Sequence, residues 1–209
     1  MQNSNKLTSF TLSNNENYIF AGSLSGYLKI VSLADMNLVN DIFIHVGAIQ
    51  AVTAHPNKDL VATRSMDNSI ALIDIKNIYN PRIIDRYVVR DIKAKNDEVL
   101  VKPNYSFSQA IDFHPFKDKI VTRNGSAAIL ELEFKSNKLV PINCFRLHKD
   151  EDLTTVKYVL NGDYLLSGGR GEIFLSKNGE TTYKWSTPVS NNHWFEKYPK
   201  NIIFLKVNL

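Results

Sequence analysis

Five histidines, three arginines in short turns, one cysteine and one glycine cluster are the residues whose types could do chemistry in this chain. The histidines are His45, His55, His114, His148 and His193. No two are spaced i, i+2 or i, i+4, so the spacing argues against a metal centre. His55 and His114 each precede Pro, and a repeated His-Pro step marks a tight turn. Gly168-Gly169-Arg170-Gly171 lacks the Lys-Ser/Thr of a phosphate-binding loop, and strand-forming residues follow it instead of a helix. A G-x-S-x-G nucleophile elbow is absent. The single cysteine, Cys144, lies in the apolar run Pro141–Phe145 and reads as inert packing. A catalytic set, a cofactor and a metal are therefore not expected.

The arginines carry the stronger binding signal. Arg64, Arg123 and Arg170 recur in successive small-residue turns, beside Met66 and Asn124. The forked guanidinium suits carboxylate, phosphate or RNA-backbone contacts. Lys102 and Tyr105 stand in a long excursion between two such units and join this candidate partner-binding set. The plainer alternative is that these arginines are solvated or paired turn residues. A second candidate is the aromatic segment holding Trp185, Trp194, Phe195 and Tyr198, which suits either a partner contact or core packing.

Positioning these residues falls to strands. Runs such as Tyr18–Ala21, Tyr27–Val31, Ser69–Asp74, Lys119–Thr122 and Tyr164–Ser167 are short, β-rich and cut by turn residues every ~8–12 residues. The chain also repeats. Turns at Leu12-Ser13-Asn14-Asn15, Ala54-His55-Pro56-Asn57, Phe113-His114-Pro115-Phe116 and Val159-Leu160-Asn161-Gly162 are each followed by an apolar strand, a small-residue turn and another strand. A unit of ~40–45 residues with four strands is one blade of a β-propeller.

These units resemble WD repeats. The opening His of such repeats matches His45 and His148, the turn Asp matches Asp67, and the signature Asp position matches Asp74. The signature Trp is replaced by Val31, Ile73, Glu131 and Ser176. The resemblance implies an all-β fold, a β-propeller of four-stranded antiparallel blades. It places blades at about 7–43, 49–89, 107–145 and 153–187, an insertion at 91–106 and a partial fifth blade at 188–209. It also implies a buried structural set around His45, Asp67 and His148, with Thr63 or Ser65 beside the His45–Asp67 pair. The turns carrying the arginines would lie on the face such repeats use for partners. The ring reads as incomplete, and three arrangements are open: a portion of a longer propeller, completion by another chain, or a small ring with unusual closure.

Bulk properties narrow the function. The chain has 209 residues, enough for one sizeable core, and 25 Lys+Arg against 21 Asp+Glu give a net charge of +4. That charge alone does not argue for nucleic acid. Neither a secretory leader nor a run of ~20 apolar residues is present, so the expected compartment is cytoplasmic or nuclear and no membrane partner is expected. The leading expectation is a non-catalytic protein-interaction scaffold or adaptor subunit of a larger complex. The alternative is an RNA- or ribonucleoprotein-associated propeller using the basic loop face. A propeller enzyme is third, since the innermost strands are mostly apolar.

Overall fold

The computed structural model describes residues 6–90, 92–95, 100–101, 108–125, 127–148, 153–169 and 171–186. Among them are four antiparallel four-stranded sheets and a single 3₁₀ turn at Leu160–Gly162. Sheet 1 holds β1 (Leu7–Leu12), β2 (Tyr18–Ser23), β3 (Tyr27–Ser32) and β4 (Leu38–Phe43). Sheet 2 holds β5 (Ile49–Ala54), β6 (Leu60–Ser65), β7 (Ser69–Asp74) and β8 (Arg82–Val88). In the insertion, β9 (Ile92–Lys93) pairs with β10 (Leu100–Val101). Sheet 3 holds β11 (Ile111–Phe113), β12 (Lys119–Asn124), β13 (Ala128–Lys135) and β14 (Lys138–Arg146). Sheet 4 holds β15 (Thr155–Val159), β16 (Tyr164–Gly169), β17 (Glu172–Lys177) and β18 (Glu180–Ser186). The expected partial fifth blade at 188–209 lies outside the described residues.

Each sheet is ordered as its sequence runs, and the sheets pack face to face in chain order. Three apolar clusters fill the seams. Phe20, Leu28 and Ile30 meet Val52, Val61 and Ile73 between sheets 1 and 2. Ala62, Ile70 and Leu72 meet Ile111, Ile120 and Leu130 between sheets 2 and 3. Val121, Ile129 and Phe145 meet Val156 and Leu165 between sheets 3 and 4. Each Val, Leu, Ile or Phe among these contributes about 1.5–3 kcal/mol on burial, so the seams hold the stack together. Among the described residues, sheet 4 makes no substantial contact with sheet 1.

Because a strand alternates its faces, cross-strand register assigns every residue to one seam or the other. Ala54, Val61 and Ile73 share a row with Ile83 in sheet 2, and the matching row of sheet 3 is Phe113, Ile120, Leu132 and Pro141. The residue of sheet 3 that matches Ile73 of sheet 2 is therefore Leu132, not the Glu131 that the resemblance to WD repeats led one to expect. Glu131, expected there, sits one residue away and faces sheet 4, because a one-residue slip in a strand reverses the side. In sheet 4 the same row runs Tyr158, Leu165, Ser176 and Thr181, so Tyr158 takes the place of Phe113.

The His-Pro turns are built by their imidazoles. His55 Nδ1 accepts the Asn57 N–H at 3.0 Å, and His114 Nδ1 accepts those of Phe116 and Lys117 at 3.0 and 3.1 Å. Each ring then packs on the next sheet: His55 lies 4.9 Å from the Phe113 ring and His114 lies 4.8 Å from Tyr158. Gly26 is required at its own turn, since at φ +82° an added Cβ would overlap the His45 carbonyl. Its carbonyl accepts the Ile44 and His45 N–H groups, which fixes the entry of His45.

Candidate interaction surface

His45 enters sheet 2 from the β4–β5 connection and is fully buried. Its Nε2 lies 2.8 Å from Thr63 Oγ1, and its Nδ1 lies 2.8 Å from Ser69 Oγ and 3.3 Å from Asp67 Oδ2. Ser69 Oγ donates to Asp67 Oδ1 at 2.6 Å, so it accepts from the imidazole, and the network selects the Nδ1–H tautomer. Burial alone would raise the Asp67 carboxyl, but hydrogen bonds from His45 and Ser69 hold it well below the carboxylate range. This is a self-satisfied structural node, and Thr63 is the hydroxyl that joins it.

The corresponding node of sheet 4 is thinner. His148 Nε2 lies 3.0 Å from Ser167 Oγ, while its Nδ1 is buried without a partner. The ring instead meets Phe174 edge-on at 4.6 Å. Burial lowers its pKa to about 4, with Lys184 adding to the shift and Glu172 opposing it.

The arginines expected as an open basic rim are not one. Arg64 is 2% exposed and Arg123 and Asn124 are fully buried, so these three do not present a loop surface. The reason is register: Arg64 and Arg123 are the last residues but one of β6 and β12, and they point into the seams toward the following sheet. Arg64 Nη1 donates to the Arg123 carbonyl at 2.7 Å and to Thr122 Oγ1 at 3.2 Å. Arg123 Nη1 donates to the Leu153 carbonyl at 3.4 Å. Burial, with the neighbouring Arg123 charge, pushes the Arg64 pKa down to about 9. Sheets 1 and 4 carry Gly22 and Gly168 at this position. Met66 remains on the surface at 41% exposure. Arg170, Lys102 and Tyr105 lie outside the described residues. Cys144 is buried, and burial raises its thiol.

Trp185 is 57% exposed and belongs to a larger surface that the sequence reading did not assemble. Trp194, Phe195 and Tyr198 lie outside the described residues. On the outer side of sheet 4, one row runs Thr155, Gly168, Ile173 and Trp185 and the next Lys157, Leu166, Leu175 and Tyr183. Leu166, Ile173, Tyr183 and Trp185 are all exposed. The first row matches Ser9, Gly22, Leu28 and Ile42 of sheet 1, Ala51, Arg64, Ile70 and Tyr87 of sheet 2, and Arg123, Ile129 and Phe145 of sheet 3. Each of those rows is turned toward the following sheet. Sheet 4 thus exposes the pattern that sheets 1 to 3 bury. The signal was present as period-2 alternation in Leu166, Gly168 and in Ile173, Leu175, but it needs the register to become a face.

Sheet 1 exposes the opposite side of the repeat. Phe10, Leu12, Tyr27, Leu38 and Phe43 are exposed there, and the Tyr27 and Phe43 rings lie 5.2 Å apart. This face is interrupted by Lys29, paired with Asp41 at 2.7 Å, where sheets 2, 3 and 4 carry Ala71, Leu130 and Phe174.

Between sheets 3 and 4 a cleft of about 130 Å³ is lined by His114, Lys117, Glu131, Asn143, Tyr158 and neighbours. Glu131 accepts from Tyr158 Oη at 2.8 Å and from Asn143 Nδ2 at 2.7 Å, so its carboxylate is engaged rather than poised. Burial, reinforced by Glu131, raises the Tyr158 phenol far above its usual range. Among the described residues no group of three or more His, Cys, Asp or Glu is placed to hold a metal ion, and no helix is long and apolar enough to cross a membrane. No family profile matches the chain, and no curated protein matches it.

Proposed function

We propose that this chain is a WD-type β-propeller unit acting as a non-catalytic protein-interaction scaffold or adaptor, with the outer face of sheet 4 as its docking surface. One observation carries the reading: Ile173, Trp185, Leu166, Leu175 and Tyr183 repeat, row for row, the side of the sheet that is buried in sheets 1 to 3. An exposed, contiguous apolar face is a binding surface or a liability. The internal seams support a partner that presents an antiparallel sheet with aliphatic rows like Val52, Val61 and Ile73. The supporting electrostatic point is negative. Arg64 and Arg123, on which an RNA-binding rim would depend, are buried.

The test is purification of the tagged full-length chain from native cells with nuclease treatment, in parallel with Leu166→Lys/Trp185→Lys. A stoichiometric protein that survives nuclease and high salt, and is lost from the double variant while far-UV circular dichroism is unchanged, supports the reading. Recovery that vanishes with nuclease, or a partner retained by the double variant, overturns it.

A further inference from the structure

The seam between sheets 2 and 3 holds a buried cation whose Nε–H is unpaired. Both hydrogen bonds of Arg64 use Nη1, to the Arg123 carbonyl and Thr122 Oγ1. The Nε–H is buried and finds no acceptor, and among the described residues no carboxylate pairs with this guanidinium. The charge that acts on Arg64 is another guanidinium, that of Arg123. Thr122 does not relieve it, because its hydroxyl donates to the Ala110 carbonyl at 2.8 Å. A buried charge left uncompensated is strongly unfavourable, and a guanidinium offers its Nε and Nη2 hydrogens as a parallel pair matched to two oxygens of an oxyanion. The Nη1 bonds hold the group so that this edge is pre-set rather than mobile.

We propose that the Nε–Nη2 edge of Arg64 is an anion site, taking one phosphate or carboxylate oxyanion at the seam of sheets 2 and 3. Sheets 1 and 4 have no such site, since Gly22 and Gly168 stand at the equivalent positions. The site is independent of the sheet 4 face: its ligand is a single charged group, and it survives if the docking proposal fails.

Thermal unfolding and calorimetric titration of the full chain test this, with sodium phosphate, acetate and chloride compared at matched ionic strength. A saturable rise in Tm with phosphate or acetate above that with chloride is expected, and the more effective anion identifies the source as a phosphate or a carboxylate group. In Arg64→Met the affinity falls at least tenfold. Arg64→Lys, which keeps the charge but not the parallel donor pair, weakens binding less and serves if the Met variant does not fold. No saturable response in the wild type beyond chloride overturns the proposal. So does an unchanged response in whichever Arg64 variant folds.

Discussion

His45 and His148 occupy the same point of the repeat and are held in different ways. Each presents Nε2 to a hydroxyl on the second strand of its sheet, Thr63 or Ser167. On the other side His45 has Ser69 and Asp67, whereas His148 Nδ1 has no partner and the Phe174 ring fills the space that Ala71 leaves in sheet 2. One node is polar and satisfied; the other has exchanged half of its hydrogen bonds for ring packing. The difference follows the position of the sheets. Among the described residues sheet 2 is packed on both faces, while sheet 4 is packed on one and exposes the other, so it has less to lose from a looser anchor.

The largest expected effect comes from breaking the complete node. Asp67 accepts from Ser69 N, Ser69 Oγ and Val46 N at 2.9, 2.6 and 3.1 Å, besides its contact with His45. Asp67→Ala strips these donors of their acceptor at once and is expected to cost about 3–4 kcal/mol. For a chain of this size that is a fall in Tm of roughly 6–16 °C. Chemical denaturation of the two proteins at pH 7 measures it, and a loss under about 1 kcal/mol contradicts the node as described.

The second effect is a pH dependence that belongs to His148. Its folded pKa, about 4, lies below the ordinary value of 6.5. Above pH 6.5 the imidazole is neutral in both states and nothing changes. Below it the unfolded chain takes up a proton that the folded one resists, so stability is lost as pH falls from 6.5 to about 4, by about 2–3 kcal/mol in all. Burial also lowers the pKa values of His55 and His114, and they share in the decline. The His148 part is therefore read as the difference between wild type and His148→Gln, which keeps a donor and acceptor but does not titrate. Parallel stability curves for the two proteins from pH 7 to pH 4 sink the assignment.

Much of this sheet architecture is legible in the sequence. The turns that punctuate the strands lie where Gly, Asn and His-Pro put them, and the His45–Asp67–Thr63 group is spaced as its geometry requires, because it is a local feature spanning one connection and one hairpin. Side, in contrast, was not legible. Arg64 and Arg123 sit beside turns, and charged residues beside turns are ordinarily solvated. Only the register shows that they face a seam. Glu131 was placed wrongly for the same reason, since counting along a strand is unforgiving of one residue. The outer face of sheet 4 needed four strands aligned before Leu166, Ile173, Tyr183 and Trp185 became one surface.

The smallest expected effect sharpens the two-histidine comparison most. Lys184 occupies in sheet 4 the place of Arg86 in sheet 2. Its ammonium lies 5.1 Å from the centre of the Phe174 ring and pairs with Glu172. From there it opposes protonation of His148, after the larger effect of burial, while Glu172 favours it. Lys184→Met removes the cation and leaves the carboxylate, so protonated His148 becomes easier to accommodate. The folded pKa then rises toward 6.5, and the acid loss of stability shrinks by a few tenths of a kcal/mol, at the scale of one partly exposed charge. Global stability at pH 7 should barely change, because His148 is neutral there with or without the lysine. Following the His148 ring signals by NMR from pH 7 to pH 4 resolves the shift directly. A midpoint that stays in place, or moves down, shows that Lys184 does not act on this imidazole.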